Sequence, residues 1–315
     1  MFCLLIFPFC VWSKGIVTYQ YFARINDPEI ETLTDHFFHY NAYFDTVRKT
    51  RQRTYLDAHL RFFPGGSDPI FSVPEVFISY HGKNNQLILG RKIVDWNPTE
   101  KFWGLGKVNG LRAMNLLEQD QEGVTGLHYH AKMGDFDVQL LASYFHIPQI
   151  NPTFHIDDGN VEAPTEWSKE PPERARFEGE EIPVFYKLQH IDFDDLLLKP
   201  SVGIYAAYNW RGFSEDNQGK VTGYYAYKPE QGVRINATGF FDQQNDSQAV
   251  VTAKPFSNLH QVYGLGVEQK IGAIDYRLGW DVSDPDRGTD PNFEFDALKV
   301  EPKYFRESYV NFRGL

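Results

Sequence analysis

The sequence predicts an all-β chain: a single antiparallel sheet closed into a barrel of about fourteen strands, spanning residues 14–315. Three observations predict it. Apolar and polar residues alternate with period two along one segment after another, as they do when successive side chains leave a strand on opposite faces. Those segments run about 9–11 residues, the length a tilted strand needs to cross a bilayer. The connections between them alternate between short and long, the asymmetry of a transmembrane barrel with tight turns at one rim and large loops at the other.

In chain order the strands fall at 17–24, 37–47, 53–63, 73–81, 86–96, 122–132 and 135–145. They continue at 182–191, 200–211, 220–228, 233–242, 259–271, 274–283 and 304–313. The third sets Thr54, Leu56, Ala58, Leu60 and Phe62 against Tyr55, Asp57, His59 and Arg61. Residues 136–144 and 202–210 alternate less cleanly. The segment 233–242 sets Val233, Ile235, Ala237, Gly239 and Phe241 against Arg234, Asn236, Thr238 and Asp242. The segment 274–282 sets Ile274, Tyr276, Leu278, Trp280 and Val282 against Asp275, Arg277, Gly279 and Asp281. Rings close several apolar stripes (Phe62, Tyr144, Trp210, Phe241), where an amphipathic ring is most stable at the headgroup level. Short connections carry RKTRQ, GKNN, MG, DFDDLLLK, PEQG and IG/A. Long ones carry 26–35, 64–72, 97–121, 146–181, 212–219, 243–258 and 284–303.

Composition narrows the classes. Net charge is −11, so nucleic acid is excluded as a partner, and no internal apolar run reaches the roughly 20 residues of a spanning helix. Aromatic residues make up 16% of the chain, as suits a β protein with rings at interfaces. Residues 1–13, MFCLLIFPFCVWS, read as a signal peptide ending on small Ser13. Its removal takes Cys3 and Cys10 with it and leaves a thiol-free chain, with neither a disulfide nor a thiolate metal site.

The stretch LILGRKIVDW, residues 87–96, precedes Gly104, Gly106 and Gly110, spaced G-x-G-x-x-x-G. A dinucleotide fingerprint needs one residue fewer between the last two glycines and a helix to follow. Gly90, Arg91 and Trp96 instead resemble a recurring segment of porin-like bacterial outer-membrane proteins, roughly G-R-Q-x-x-x-W-G. Lys92 stands where Gln is usual, and Asn97 replaces the last Gly. The resemblance implies an outer-membrane barrel whose loop after Trp96 folds inward or caps the lumen, with Arg91 facing inside. Leu87 and Leu89 share the face of Arg91 in strict alternation, so an irregularity near Gly90 is required. In that family the chain ends on an aromatic residue. Here Phe312 lies three short of Leu315, which reads as a truncated gene model and a native barrel of sixteen or more strands.

The expected lumen lining is Asp57, His59, Arg61, Arg91, Lys132, Asp137, Lys187, Arg234, Asp275 and Arg277, with both signs of charge. His128 and His130 share a strand face at metal-ligand spacing, but the sequence places no third ligand beside them, and they read as lumen polarity. Asp284, Asp286 and Asp290 alternate like a calcium loop but lack the closing Glu, since Phe295 occupies it. Segment 146–181 is rich in Pro and Glu and too polar for a core of its own; it folds into the pore or lies on the cell surface. There is no G-x-S-x-G serine elbow. The expected function is passive diffusion of small hydrophilic solutes or ions, leaning to cations, with no cofactor and no enzymatic step. Outer-membrane lipid, lipopolysaccharide and further copies of the chain are the expected partners. The competing expectation is a secreted carbohydrate-active β-sandwich or jelly roll, in which the apolar faces are packed under a second sheet.

Overall fold

A computed structural model describes residues 13–23, 34–47, 51–62, 70–99, 107–113, 119–148, 155–157, 159–162, 172–177, 179–189, 193–212, 217–230, 232–242, 248–286, 298–300 and 306–314. The strands are β1 (Ser13–Ala23), β2 (Thr34–Val47), β3 (Gln52–Phe62), β4 (Ile70–His81), β5 (Asn85–Lys92), β6 (Gly110–Ala113) and β7 (Gln119–Glu122). Next come β8 (Val124–Met133), β9 (Phe136–Ser143), β10 (His155–Asp157), β11 (Asn160–Glu162), β12 (Arg174–Phe177) and β13 (Glu180–Leu188). A single helical turn, α1 (Phe193–Leu197), precedes β14 (Ser201–Arg211), β15 (Asn217–Pro229), β16 (Arg234–Asp242) and β17 (Gln248–Phe256). The chain closes with β18 (Leu259–Ile271), β19 (Ile274–Pro285), β20 (Leu298–Val300) and β21 (Glu307–Gly314).

The fold is all-β and antiparallel. Twelve strands form one sheet in the order β1-β2-β3-β4-β5-β8-β9-β14-β15-β18-β19-β21, every neighbour antiparallel. Its outer strands, β1 and β21, share no ladder among the described residues. Among the described residues this sheet holds twelve strands, and two of the fourteen expected segments lie elsewhere. Segments 182–191 and 233–242 form β13 and β16 of a separate sheet, ordered β12-β13-β17-β16-β20, in which β13 and β17 run parallel. Alternation reports that one face is half-buried, and it is blind to which sheet does the burying.

With those two strands removed, the rims separate cleanly. One rim carries turns of residues 48–51, 82–84, 134–135, 212–216 and 272–273. Gly134 and Gly272 take φ of 63° and 61° there, which glycine adopts without steric cost. The opposite rim carries 24–33, 63–69, 93–123, 144–200, 230–258 and 286–306. The expected short turn at 192–199 belongs to this long rim and contains α1. The expected long loop at 212–219 belongs to the short one. The five-stranded sheet is assembled from three of the long connections.

The two faces of the twelve-stranded sheet are opposite in character. On one, the register Tyr80–Leu87–Tyr129–Leu140–Ile204–Tyr225 crosses six strands without a polar residue. Nearer the turn rim, Met133–Phe136–Tyr208–Val221–Val267–Leu278–Phe312 continues to β21. All thirteen side chains are exposed, Phe312 to 59% and Leu140 to 43%. The other face receives the segment that leaves β5. There Val94, Trp96, Val108, Val124, Leu141, Tyr205, Ala207, Tyr224, Ala226 and Val262 form a core on the inside of the sheet.

Candidate functional site

The inner face is lined by charges in opposed pairs. Arg53 donates to Asp45 at 2.8 and 2.9 Å. His59 lies 2.9 Å from Asp57, His130 lies 2.7 Å from Asp137, and Lys92 lies 3.1 Å from Glu75. On β15, β18 and β19 a ladder runs from Lys220 to Glu268 at 3.1 Å and from Arg277 to Asp275 at 2.9 Å. Arg277 also approaches Glu268 at 3.7 Å. On β8, β9, β15, β18 and β19 these residues alternate with exposed apolar ones, so there the pleat turns them inward.

Of the ten predicted lining residues, Asp57, His59, Lys132, Asp137, Asp275 and Arg277 are on this face. Arg61 continues β3 opposite Ile70, and its side chain lies outside the described residues. Lys187 and Arg234 are corrections: they belong to β13 and β16 of the second sheet, with Lys187 exposed opposite Thr252. Their strands have the right pattern and the wrong neighbours.

Arg91 is inside, for the reason the sequence demanded. Gly90 takes φ of 133°, and a Cβ there would lie 2.2 Å from the carbonyl oxygen of Val76. The ladder keeps its register through this point, so the reversal comes from the backbone twist at glycine and not from an inserted residue. Leu89 is left outside and Arg91 is 5% exposed. Its guanidinium donates to Glu122 at 2.9 Å, to the Gly123 carbonyl at 2.9 Å and to the Val73 carbonyl at 2.9 Å. Glu122 accepts a further bond from Ser72 at 2.8 Å. The pair fixes the start of the long connection after β5 to its end.

Between these anchors, residues 93–99 and 107–109 cross the inner face as a strap. The Asn109 amide holds Val94 on both backbone groups, at 2.9 and 2.8 Å. Trp96 donates to Gln139 on β9 at 3.0 Å and packs on Tyr205 and Tyr224, ring centroids 6.1 and 5.9 Å away. Asn97 donates to Asp281 on β19. Lys107 reaches Glu307 on β21 at 2.8 Å, and the buried Lys228 donates to the Lys107 carbonyl at 3.2 Å. Small residues in the wall make the room. A Cβ on Gly203 would lie 2.6 Å from Trp96, one on Gly266 would lie 2.6 Å from Pro98, and one on Gly279 would lie 2.6 Å from Thr99. The expectation of an inward loop after Trp96 is met by residues 96–99. Gly104 and Gly106 of the glycine run lie outside the described residues.

Other expectations resolve locally. His128 is buried and bonds the Val124 carbonyl at 3.0 Å, while His130 pairs with Asp137. Asp286 accepts the Tyr227 hydroxyl at 2.7 Å, and residues 287–297 of the calcium-like loop lie outside the described residues, as do 1–12. Glu122, Lys220, Glu268, Tyr205 and Lys228 are not among the residues predicted from sequence. For Lys220, Glu268, Tyr205 and Lys228 the one sequence signal is an inward parity on β14, β15 and β18; Glu122, on the short β7, carries none.

No protein-family model matches the chain. No curated protein matches it either. Among solved structures it is similar to OccAB1 of Acinetobacter baumannii, with 10% identity, 87% of this chain and 66% of that one covered, and a TM-score of 0.33. OccK2 (OpdF) of Pseudomonas aeruginosa, solved with glucuronate, gives 8% identity, 86% and 64% coverage and a TM-score of 0.35. A mutant Rhodopseudomonas blastica porin gives 11% identity, 88% and 85% coverage and a TM-score of 0.29. The chain spans just under two thirds of the length of the first two. The functional reading rests on the chain's own two faces.

Proposed function

We propose that the twelve-stranded sheet is the wall of an outer-membrane β-barrel and that the protein is a porin-like passive channel for small hydrophilic solutes or ions. The observation that carries this reading is the exposed face. Aliphatic and aromatic side chains cover it in two overlapping registers, one from β4 to β15 and one from β8 to β21, whereas soluble proteins rarely expose apolar patches above a few hundred Å² (about 300–600 Å² for the largest). Against lipid that surface is stable, and lipid is the partner it calls for. The secreted-sandwich reading needs the same residues packed under a second sheet, and here they face outward.

Passage runs along the inner face. The strap occupies the stretch from β9 to β21, so solutes move past it beside the charge pairs of β2 to β5 and along the turn-rim ladder Lys220–Glu268–Arg277–Asp275. Opposed charges set a transverse field across the lumen, and the net charge of −11 tilts the protein's potential toward cations. No bond is made or broken in this process. The long rim, with its five-stranded sheet, faces the cell exterior.

Planar-bilayer conductance of the chain refolded in detergent tests the proposal under a potassium chloride gradient. Discrete steps with a reversal potential on the cation side are expected. Protein that remains soluble without detergent and never inserts would sink the membrane reading.

A further inference from the structure

We propose that a hollow at the turn rim, on the inner face between the 82–84 turn and the end of β8, binds a small phosphate monoester. The hollow measures about 390 Å³, and Lys83, Lys132, His81, His130, Asn84 and Gln86 are in its lining. That volume is within the range of small-molecule clefts, about 300–1,000 Å³. Its strand-borne side chains are on the lumen side by parity. Their neighbours in sequence, Tyr80, Leu87, Tyr129 and Met133, are exposed on the apolar face. No carboxylate is in the lining. Asp137, opposite Lys132 in the ladder, is turned to His130 at 2.7 Å.

The charge around this hollow is unbalanced. Along the rest of the inner face cations are matched, Lys92 by Glu75, Lys220 by Glu268 and Arg277 by Asp275. Lys83 and Lys132 form no ion pair among the described residues. Two ammonium groups without a counter-charge balance one dianion. The hollow is also braced by backbone bonds that need no ligand. The Lys132 N–H donates to the Asn84 carbonyl at 2.8 Å, the Gly82 N–H to the Asn85 carbonyl at 2.8 Å and the His81 N–H to the Arg51 carbonyl at 2.9 Å. These bonds tie the 82–84 turn to β8 on one side and to the neighbouring turn on the other. Ser79 Oγ, 3.0 Å from His81 Nε2, holds that ring in place. A side chain at Gly134 would meet nothing within 4 Å, so the hollow is open on that side.

Chemistry selects the occupant. Lysine binds phosphate as a point charge, and hydrogen bonds to an ionised partner are about twice as strong as neutral ones. The lining groups come from the 82–84 turn, from β4, from β5 and from β8. Groups spread over four elements suit the several oxygens of a tetrahedral dianion better than the single plane of a carboxylate. The amides of Asn84 and Gln86 carry both donors and acceptors, which hydroxyl groups can meet, so the ester portion is a small polyol. The lumen-side lining commits the ligand to a free solute and not to a lipid headgroup. The site stands independently of the channel reading, and only its place on the solute path rests on that reading.

The test is phosphorus NMR of glycerol phosphate titrated with the full chain, refolded in a maltoside detergent that carries no phosphate of its own. Line broadening is expected to saturate and to be reversed by inorganic phosphate but not by glycerol. Lys83→Gln and Lys132→Gln are each expected to weaken binding several-fold, and the double variant about tenfold or more. Lys270→Gln, at another turn of the same rim, is expected to leave it unchanged. Absent broadening overturns the site. Equal losses in Lys270→Gln and Lys132→Gln would show diffuse rim charge in place of a site, and overturn it as well. Displacement by glycerate as effective as by inorganic phosphate overturns the phosphate assignment. Displacement by a small fraction of phosphatidylglycerol in the micelle makes it a headgroup site and overturns the solute assignment. Binding in a protein that passes no current keeps this site and removes the channel. Current without binding does the reverse.

Discussion

Arg91 and Glu122 are 6% and 1% exposed in their side chains, and between them they close the ends of a thirty-residue excursion. Removing one partner leaves the other charged and dry, at a cost of about 3–5 kcal/mol. Glu122→Gln is therefore expected to lower the free energy of unfolding by about that amount in a urea titration, with β5 and β8 the first strands to lose amide protection. His146 poses a second residue-scale question. It lies just beyond β9, its backbone N–H bonded to the Leu197 carbonyl at 2.7 Å. Burial pushes its imidazole down to about 3, with Lys228 and Arg91 adding repulsion. The unfolded chain binds this proton near the ordinary histidine value and the folded chain does not. The site's contribution is thus complete above about pH 6.5 and falls as pH drops from there toward 3, by about 1.4 kcal/mol per pH unit. His146→Gln is expected to flatten stability-versus-pH over that window, measured as the difference between the two denaturation curves. Equal slopes would show that the imidazole is protonated in the fold.

Among elements, the strap is the decisive one. Its sequence, VDWNPT, is too short and irregular to form a strand past Lys92, and Pro98 denies it a ladder donor. It is held by what the wall lacks: side chains at Gly203, Gly266 and Gly279. Gly266→Leu is expected to displace Pro98 and widen the passage, read as a severalfold rise in unit conductance with the twelve-stranded sheet intact by circular dichroism. Trp96→Ala is expected to act in the same direction while costing about 3–5 kcal/mol of stability. Unchanged conductance in both variants would mean that the strap does not border the path. The second sheet is the other element with consequences. Because β13 pairs in parallel with β17 and β16 pairs with β20, three of the long connections are joined through one sheet.

For the whole molecule, the governing contrast is an apolar outside and a charged inside, the inverse of a water-soluble domain. Leu265, 55% exposed at the middle of β18, sits where that contrast is most stringent. Leu265→Arg is expected to cost about 2–4 kcal/mol in lipid and far less in a variant placed on the inner face, both measured by reversible unfolding from liposomes. A cost near zero at Leu265 would place that face against water and revive a soluble reading.

By itself the sequence determined the all-β class, the parity of strands such as 54–62 and 274–282 and the alternation of short with long connections, though it put 192–199 and 212–219 on the wrong rims. All three follow from local rules: alternation, turn glycines and loop length act within a few residues. It also determined that Arg91 needed an irregularity at Gly90 to face inward, because strict alternation forbids it otherwise. Only the tertiary structure decided that 182–191 and 233–242 leave the main sheet, taking Lys187 and Arg234 with them. Their periodicity is that of any half-buried strand, and partner choice depends on contacts between segments far apart in the chain. The same holds for the Arg91–Glu122 lock, the glycine groove and the Asn97–Asp281 hydrogen bond. Each joins residues separated by 31 to 184 positions, a distance over which no local pattern carries information.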